Sequence, residues 1–247
     1  MIPLKIRIRD SQIMTTNNRA SNIVFDRERA SKHDQQFAKL APMRDGLDLS
    51  ICMVLSELPD DARILCVGVG TGTELIHLAQ HFPQWQFTAV EPAAPMLDIC
   101  RQKAEKYGIT SRCTFHEGYL DSLPPSDAFD AATCILVSHF ITQLEQRRNL
   151  FRQISARLRP NGYLVSSDLA FDMSTPAYKS LLAVFRRMFQ YAEIPTEEIE
   201  KIINAYGQEI AVLPPQEIES LIASSGFDTP VLFFQTFLIH AWYAQRT

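Results

Sequence analysis

The sequence predicts an α/β fold in which a doubly wound, largely parallel sheet carries helices on both faces, and three observations lead there. Short apolar runs alternate with stretches of helical periodicity from about residue 62 to residue 168, the pattern of repeated β-α units. The first run, Arg63-Ile64-Leu65-Cys66-Val67, ends in three glycines at alternate positions, Gly68, Gly70 and Gly72, and leads into Thr73-Glu74-Leu75-Ile76-His77. A strand, a tight glycine turn and a helix N-terminus in that order are where such sheets bind nucleotide-like ligands. The chain has 247 residues and is 46% hydrophobic, enough to bury one large core, and no linker-like stretch divides it.

Each element has a local reason. Residues 1–20 read as a flexible tail: Met1 to Met14 alternate basic and apolar side chains but lack a signal-peptide core, and Met14 is an alternative start. Residues 21–247 read as one domain. Helical spacing over 26–40 and 45–58 gives cap helices ahead of a first strand at 62–67. There follow helix 73–82, strand 85–90, helix 94–107, strands 112–116 and 129–135, helix 142–158 and strand 162–168. Pro83 and Gly108 close helices, and Arg159-Pro160-Asn161-Gly162 is a turn before the fifth strand. The pattern then breaks into helices 177–192 and 196–206, read as an insertion over 169–213 that acts as a lid. Its stripe of Leu181, Leu182, Phe185, Met188 and Phe189 is either plain packing or a substrate-facing surface. Pro214-Pro215 restarts the core with helix 216–225. Strands 231–235 and 237–244 suit a closing antiparallel hairpin.

Composition narrows the function. The net charge is −4 and the sequence pI about 5.9, so whole-chain electrostatics do not favour a polyanion, and a nucleic-acid partner is not expected. Arg147, Arg148, Arg152, Arg157 and Arg159 read as the solvated face of a helix. Five scattered cysteines without C-x-x-C spacing fit a reducing cytoplasm and suggest no metal. No apolar run approaches the ~20 residues of a membrane span. A monomer or homodimer is expected.

The glycine turn departs from the dinucleotide fingerprint, because Thr73 stands where G-x-G-x-x-G needs its third glycine. Nineteen residues after Gly72, Glu91 ends the apolar strand Phe87-Thr88-Ala89-Val90, placed to accept hydrogen bonds from both hydroxyls of a ribose. Together these residues resemble the class I S-adenosylmethionine (SAM) dependent methyltransferases, from about Phe25 to the C-terminus. The resemblance implies a Rossmann-like seven-stranded sheet with a reversed last strand, SAM as cofactor, and methyl transfer. Val24-Phe25-Asp26, the Pro42 region and Phe234-Gln235-Thr236-Phe237 are similar to the carboxy-SAM synthase family of tRNA wobble-uridine modification and its methyltransferase type 12-like relatives. That family reads the extra carboxylate with an arginine in the insertion, whereas Glu197-Glu198-Ile199-Glu200 is acidic here and would repel an anion. Plain SAM and a small-molecule acceptor are therefore expected.

Residue by residue, the resemblance implies that Gly68, Gly70 and Gly72 line the methionine and ribose and that Glu91 holds the ribose. Pro92, Met96, Tyr119 and Leu120 border the adenine, and Cys134 and Ile135 offer a backbone carbonyl to the SAM ammonium. Arg44 reaches the methionine carboxylate or is an ordinary surface arginine. Two positions depart from the pattern: Cys66 stands where most members carry an acid, and Tyr119 where they carry an aspartate, with Asp121 placed to reach back toward the adenine amine. Methyl transfer is an in-line displacement, which alignment and desolvation can drive without an acid or base. A base is required only when the acceptor must lose a proton. His139 is the catalytic candidate, beside Asp168 on the carboxyl edge of the sheet, its alternative being a helix-cap or packing role. Two other classes stay open, a tRNA-modifying enzyme and a non-catalytic SAM-binding protein.

Overall fold

A computed structural model describes residue 34 and residues 36–247. Seven strands, β1 (Arg63–Val67), β2 (Gln86–Glu91), β3 (Cys113–Glu117), β4 (Phe129–Ile135), β5 (Leu158–Leu169), β6 (Val231–Thr236) and β7 (Ile239–Gln245), form one sheet in the order β3-β2-β1-β4-β5-β7-β6. β1 pairs in parallel with β2 and β4, β2 with β3, and β4 with β5, whereas β7 runs antiparallel to both β5 and β6. The strand order reverses between β1 and β4, and the carboxyl ends of these strands open the crevice where open α/β sheets bind ligands.

Strand alternation sorts the core onto two faces. Ile64, Cys66, Phe87, Ala89, Ala131 and Val165 face α1 (Ala41–Leu55), α2 (Thr73–His81) and α3 (Ala94–Lys106). Leu65, Val67, Val90, Ala132, Leu164 and Trp242 face α4 (Leu144–Arg157) and α7 (Pro215–Ala223). Between β5 and α7 lie α5 (Pro176–Tyr191) and α6 (Thr196–Ala205), with a core of their own. Phe185 and Phe189 meet edge to face at 5.0 Å, and Phe185 also meets Phe237 from the β6–β7 turn at 6.3 Å. The Thr175 hydroxyl accepts from the Tyr178 N–H and caps α5.

Several sequence boundaries move. α1 begins at Ala41 rather than residue 45, since Pro42 sits in its first turn, where a missing N–H costs nothing and a fixed φ suits the helix. Of the expected helix 26–40, the described end Ala38–Leu40 is a 3-10 turn, while 26–33, the tail 1–20 and Val24-Phe25-Asp26 lie outside the described residues. The expected turn Arg159-Pro160-Asn161-Gly162 does not precede β5 but bulges out within it, between Leu158, opposite Phe129, and Tyr163, opposite Ala131. Asn161 takes the left-handed conformation there (φ 61°), and the bulge is held from the far end of the chain: the Asn161 N–H donates to Arg246 O and the Arg246 N–H to Gly162 O. Among the described residues no helix is long and apolar enough to cross a membrane.

Candidate active site

The glycine turn joins β1 to α2 and is clamped from the neighbouring strand, with the Gly68 and Val69 N–H groups both donating to Val90 O at 2.8 and 3.1 Å. Gly70 and Gly72 have φ of 56° and 78°, values that L side chains rarely adopt, but their surroundings differ. A Cβ at Gly72 would collide with the Cys100 side chain, so this glycine lets α2 settle on α3. A Cβ at Gly70 would meet only Met96 Cε, at 3.5 Å, which leaves the backbone open for close approach by a ligand. Gly72 caps α2 without a side-chain hydrogen bond, so N–H groups of the first turn face the crevice end of the sheet.

Glu91 ends β2 and is buried against this turn. One carboxylate oxygen accepts from the Gly70 N–H at 3.0 Å and the other from the Ala93 N–H at 2.9 Å. Burial raises its pKa, and the two N–H donors oppose that rise. Each oxygen keeps a further lone pair for a ribose hydroxyl. Pro92 is exposed next to it, Met96 is buried beneath the turn, and the Gly118 N–H donates to Glu91 O, which brings the end of β3 alongside. Tyr119 is 54% exposed and Leu120 is buried. Leu120 heads the 3-10 turn Leu120–Ser122, a position whose N–H has no partner inside the helix.

Cys66 is buried in β1, and an acid comes to it from elsewhere. Glu74, in the first turn of α2, turns its carboxyl toward the Thr133 hydroxyl and the Cys66 thiol, near enough to feel both; its Oε1 and Thr133 Oγ1 are buried without an aligned hydrogen bond. Burial pushes the Glu74 pKa up to about 7. Ser167 Oγ, on β5, is buried and unpartnered as well. Cys134 and Ile135 end β4, and Cys134 O accepts a long 3.4 Å bond from Ser166 Oγ. Leu136, next in the chain, has φ 56°, a conformation costly for a branched residue and found where a site holds the backbone against its preference.

Arg44 lies on α1, where its guanidinium bonds Asp45 at 3.1 Å and acts on Asp48 and His77, along the flank of α2. The cation at the glycine turn is Lys103 of α3, whose Nζ donates to Thr71 and Thr73, both at 3.1 Å, and pairs with Asp34 at 2.6 Å. Asp34 also accepts from the Thr71 hydroxyl at 2.8 Å. Glu74, Thr133, Lys103 and Leu136 were missed in the sequence. Only Glu74 had a local signal there, an acid in the first turn of a helix that follows a glycine loop.

His139 lies beyond β4 in the 3-10 turn Ser138–Phe140 and is 4% exposed. Its Nδ1 is 3.2 Å from Asp168 Oδ1, and its backbone N–H donates to the same oxygen at 2.9 Å. Asp168 Oδ2 accepts from the Ser138 hydroxyl at 2.7 Å and pairs with Arg147 Nη2 at 3.0 Å, while Arg147 Nε donates to Ser138 Oγ at 2.7 Å. Burial alone would raise the Asp168 pKa, but Arg147, His139 and Ser138 together hold it below the usual value. A carboxylate fixed in the ionised form orients the imidazole with Nδ1–H toward it and leaves the Nε2 lone pair free. The insertion adds a contact, the Ala211 N–H donating to His139 O at 2.8 Å.

Among known proteins, the methyltransferase-domain family matches residues 64–162. Carboxy-S-adenosyl-L-methionine synthase of Campylobacter jejuni is 25% identical over 75% of this chain and 80% of its own. Demethylmenaquinone methyltransferase of Deinococcus radiodurans is 29% identical over 72% of this chain and 75% of its own. An O-methyltransferase family protein of Burkholderia thailandensis superposes with a TM-score of 0.61 at 17% identity, which shows the shared fold; it covers 91% of this chain, which spans about 64% of that structure's length. The site fits SAM on its own terms, with an open backbone at Gly70, a two-oxygen acceptor at Glu91 and buried polar atoms without partners at Glu74, Thr133 and Ser167. A seven-stranded sheet with its last strand reversed, a glycine turn answered by an acid at the end of β2, a methyltransferase domain over residues 64–162 and these likenesses together support a class I SAM-dependent methyltransferase.

Proposed function

We propose that this methyltransferase acts on a small molecule and that His139 takes the proton its acceptor loses. The observation that carries the proposal is the His139–Asp168 pair at the carboxyl edge of β4 and β5, tied to the insertion through Ala211. When bound, SAM supplies a methyl carbon on a sulfonium sulfur. Attack by the acceptor's lone pair on that carbon would release the sulfur as a neutral thioether, and His139 Nε2 would take the proton the acceptor loses. Glu91 holds the ribose, and Met96 and Tyr119 border the adenine. The Glu74 carboxyl takes the place of the acid missing at Cys66 as a partner for the SAM ammonium. Arg44 is assigned to the methionine carboxylate, which requires its guanidinium to leave Asp45. The insertion covers the crevice and selects the acceptor.

Plain SAM is supported over its carboxylated form because the insertion presents the acidic stretch Glu197-Glu198-Ile199-Glu200, which would repel a second carboxylate. Arg186 is already paired with Glu200, and Lys201 with Glu197. A structural neighbour, the O-methyltransferase family 2 protein of Planctomyces limnophilus in complex with apigenin, favours a small acceptor. The acidic charge balance argues against RNA, and five free cysteines suit a cytoplasmic protein. Mass spectrometry of ligand released from freshly purified protein tests the reading: SAM or its demethylated product supports it, and carboxylated SAM overturns it in favour of a synthase. Once an acceptor is found, His139→Asn is expected to lower kcat by about 10²–10⁴-fold with KM for SAM little changed.

A further inference from the structure

The methyltransferase reading does not account for a cluster between α1 and α2. Cys52 of α1 and His77 and His81 of α2 bring one sulfur and two ring nitrogens within 4.8 Å of one another. We propose that these three side chains bind a divalent zinc ion that clips α1 to α2, with water in the fourth position.

The donor set suits the ion. A thiolate and two imidazoles select zinc over the harder magnesium or calcium. Tetrahedral zinc at ~2.3 Å from sulfur and ~2.0 Å from nitrogen sets its donors about 3.3–3.7 Å apart, so a closure of about 1 Å is required. His81, exposed at the end of α2, has the freedom to supply it.

Histidines four residues apart lie on one face of a helix. Their ring centroids lie 4.4 Å apart with the planes tilted by 33°, side by side as two ligands of one ion would be. His81 Nδ1 lies 3.0 Å from His77 O, and donating its proton to that carbonyl leaves the Nε2 lone pair free, the arrangement common among metal-bound histidines. His77 Nε2 is buried with no hydrogen-bond partner, an acceptor that an ion would satisfy. Burial and Asp48 push the Cys52 thiol up to about 11, so the free protein carries S–H. Coordination forms the sulfur–zinc bond and releases that proton to the buffer, with no change of oxidation state.

Cobalt(II) titration of the purified full chain tests the site. The expected result is one equivalent bound, with a thiolate-to-cobalt charge-transfer band in the near ultraviolet and tetrahedral d–d bands, all bleached by one equivalent of zinc. Cys52→Ser, which replaces only the sulfur, should abolish the charge-transfer band. His81→Asn, at an exposed position, should weaken binding at least tenfold without loss of fold. Cys113→Ser, at the one cysteine of the five that is only partly buried, should change nothing. Zinc should also raise the midpoint of thermal unfolding in the wild type and not in Cys52→Ser. A folded wild type with no charge-transfer band, or a band unchanged in Cys52→Ser, would overturn the proposal.

Discussion

Gly70 and Gly72 share a left-handed backbone, yet substitution at each should report a different property. At Gly72 an alanine meets Cys100 as well as backbone strain, and a loss of about 2–4 kcal/mol in folding stability is expected from denaturant unfolding. At Gly70 the added atoms enter open space above Met96, so Gly70→Val should fold at a cost of only about 1–2 kcal/mol and bind no SAM detectable by calorimetry. Similar losses of stability with retained binding would mean the ligand does not approach Gly70. Glu91→Ala should weaken SAM binding by ~2 kcal/mol, about 30-fold, as two charge-assisted hydrogen bonds disappear. Glu91→Gln should fall between, and unchanged affinity in the folded alanine variant would place the ribose elsewhere.

Glu74 gives the same scale a pH signature. Its folded-state pKa of about 7 lies above the ordinary 4.5, so the folded protein keeps a proton that the unfolded chain releases. The contribution is fully present below about pH 4.5 and is lost as pH rises through about 7. Glu74→Gln should therefore flatten the fall in unfolding free energy between about pH 5 and 8 relative to wild type. Parallel curves for the two proteins would show that this carboxyl ionises normally.

At the scale of elements, the insertion has its own core, and Phe185 and Phe189 are buried in it at 2% and 5% exposure. The sequence stripe left packing and substrate contact open, and the structure shows these two rings packed on each other and on Phe237. Phe185→Ala should cost about 3–5 kcal/mol locally. Native-state hydrogen exchange should then show α5 and α6 opening while β1, β4 and the SAM affinity stay as they were. Loss of protection across the whole sheet would show that the insertion is part of one cooperative unit.

The same scale explains what could be read in the sequence. β1, the glycine turn, α2 and Glu91 were legible because strand periodicity, glycine spacing and an acid at a strand end are local signals. The β5 bulge was not, since the backbone of Arg246 holds Asn161 and Gly162 from the other end of the chain. Nor was the approach of Glu74 to Cys66 and Thr133, or the Ser138–His139–Arg147–Asp168 network, because each joins residues from separate elements. Cys52 reaches His77 and His81 for the same reason, through the packing of α1 on α2.

For the whole molecule, the account rests on one claim: the crevice at the carboxyl ends of β1, β2 and β4 is a SAM site. Strand order, glycine conformation, the two acceptor oxygens of Glu91 and the unpartnered buried atoms at Glu74 and Thr133 all bear on it. Isothermal titration of the full chain with S-adenosylhomocysteine, and separately with SAM and NAD, tests it most directly. The expected result is one site per chain for the first two ligands, with dissociation constants on the order of micromolar, and no heat with NAD. Binding of NAD with neither SAM nor S-adenosylhomocysteine bound would contradict the account.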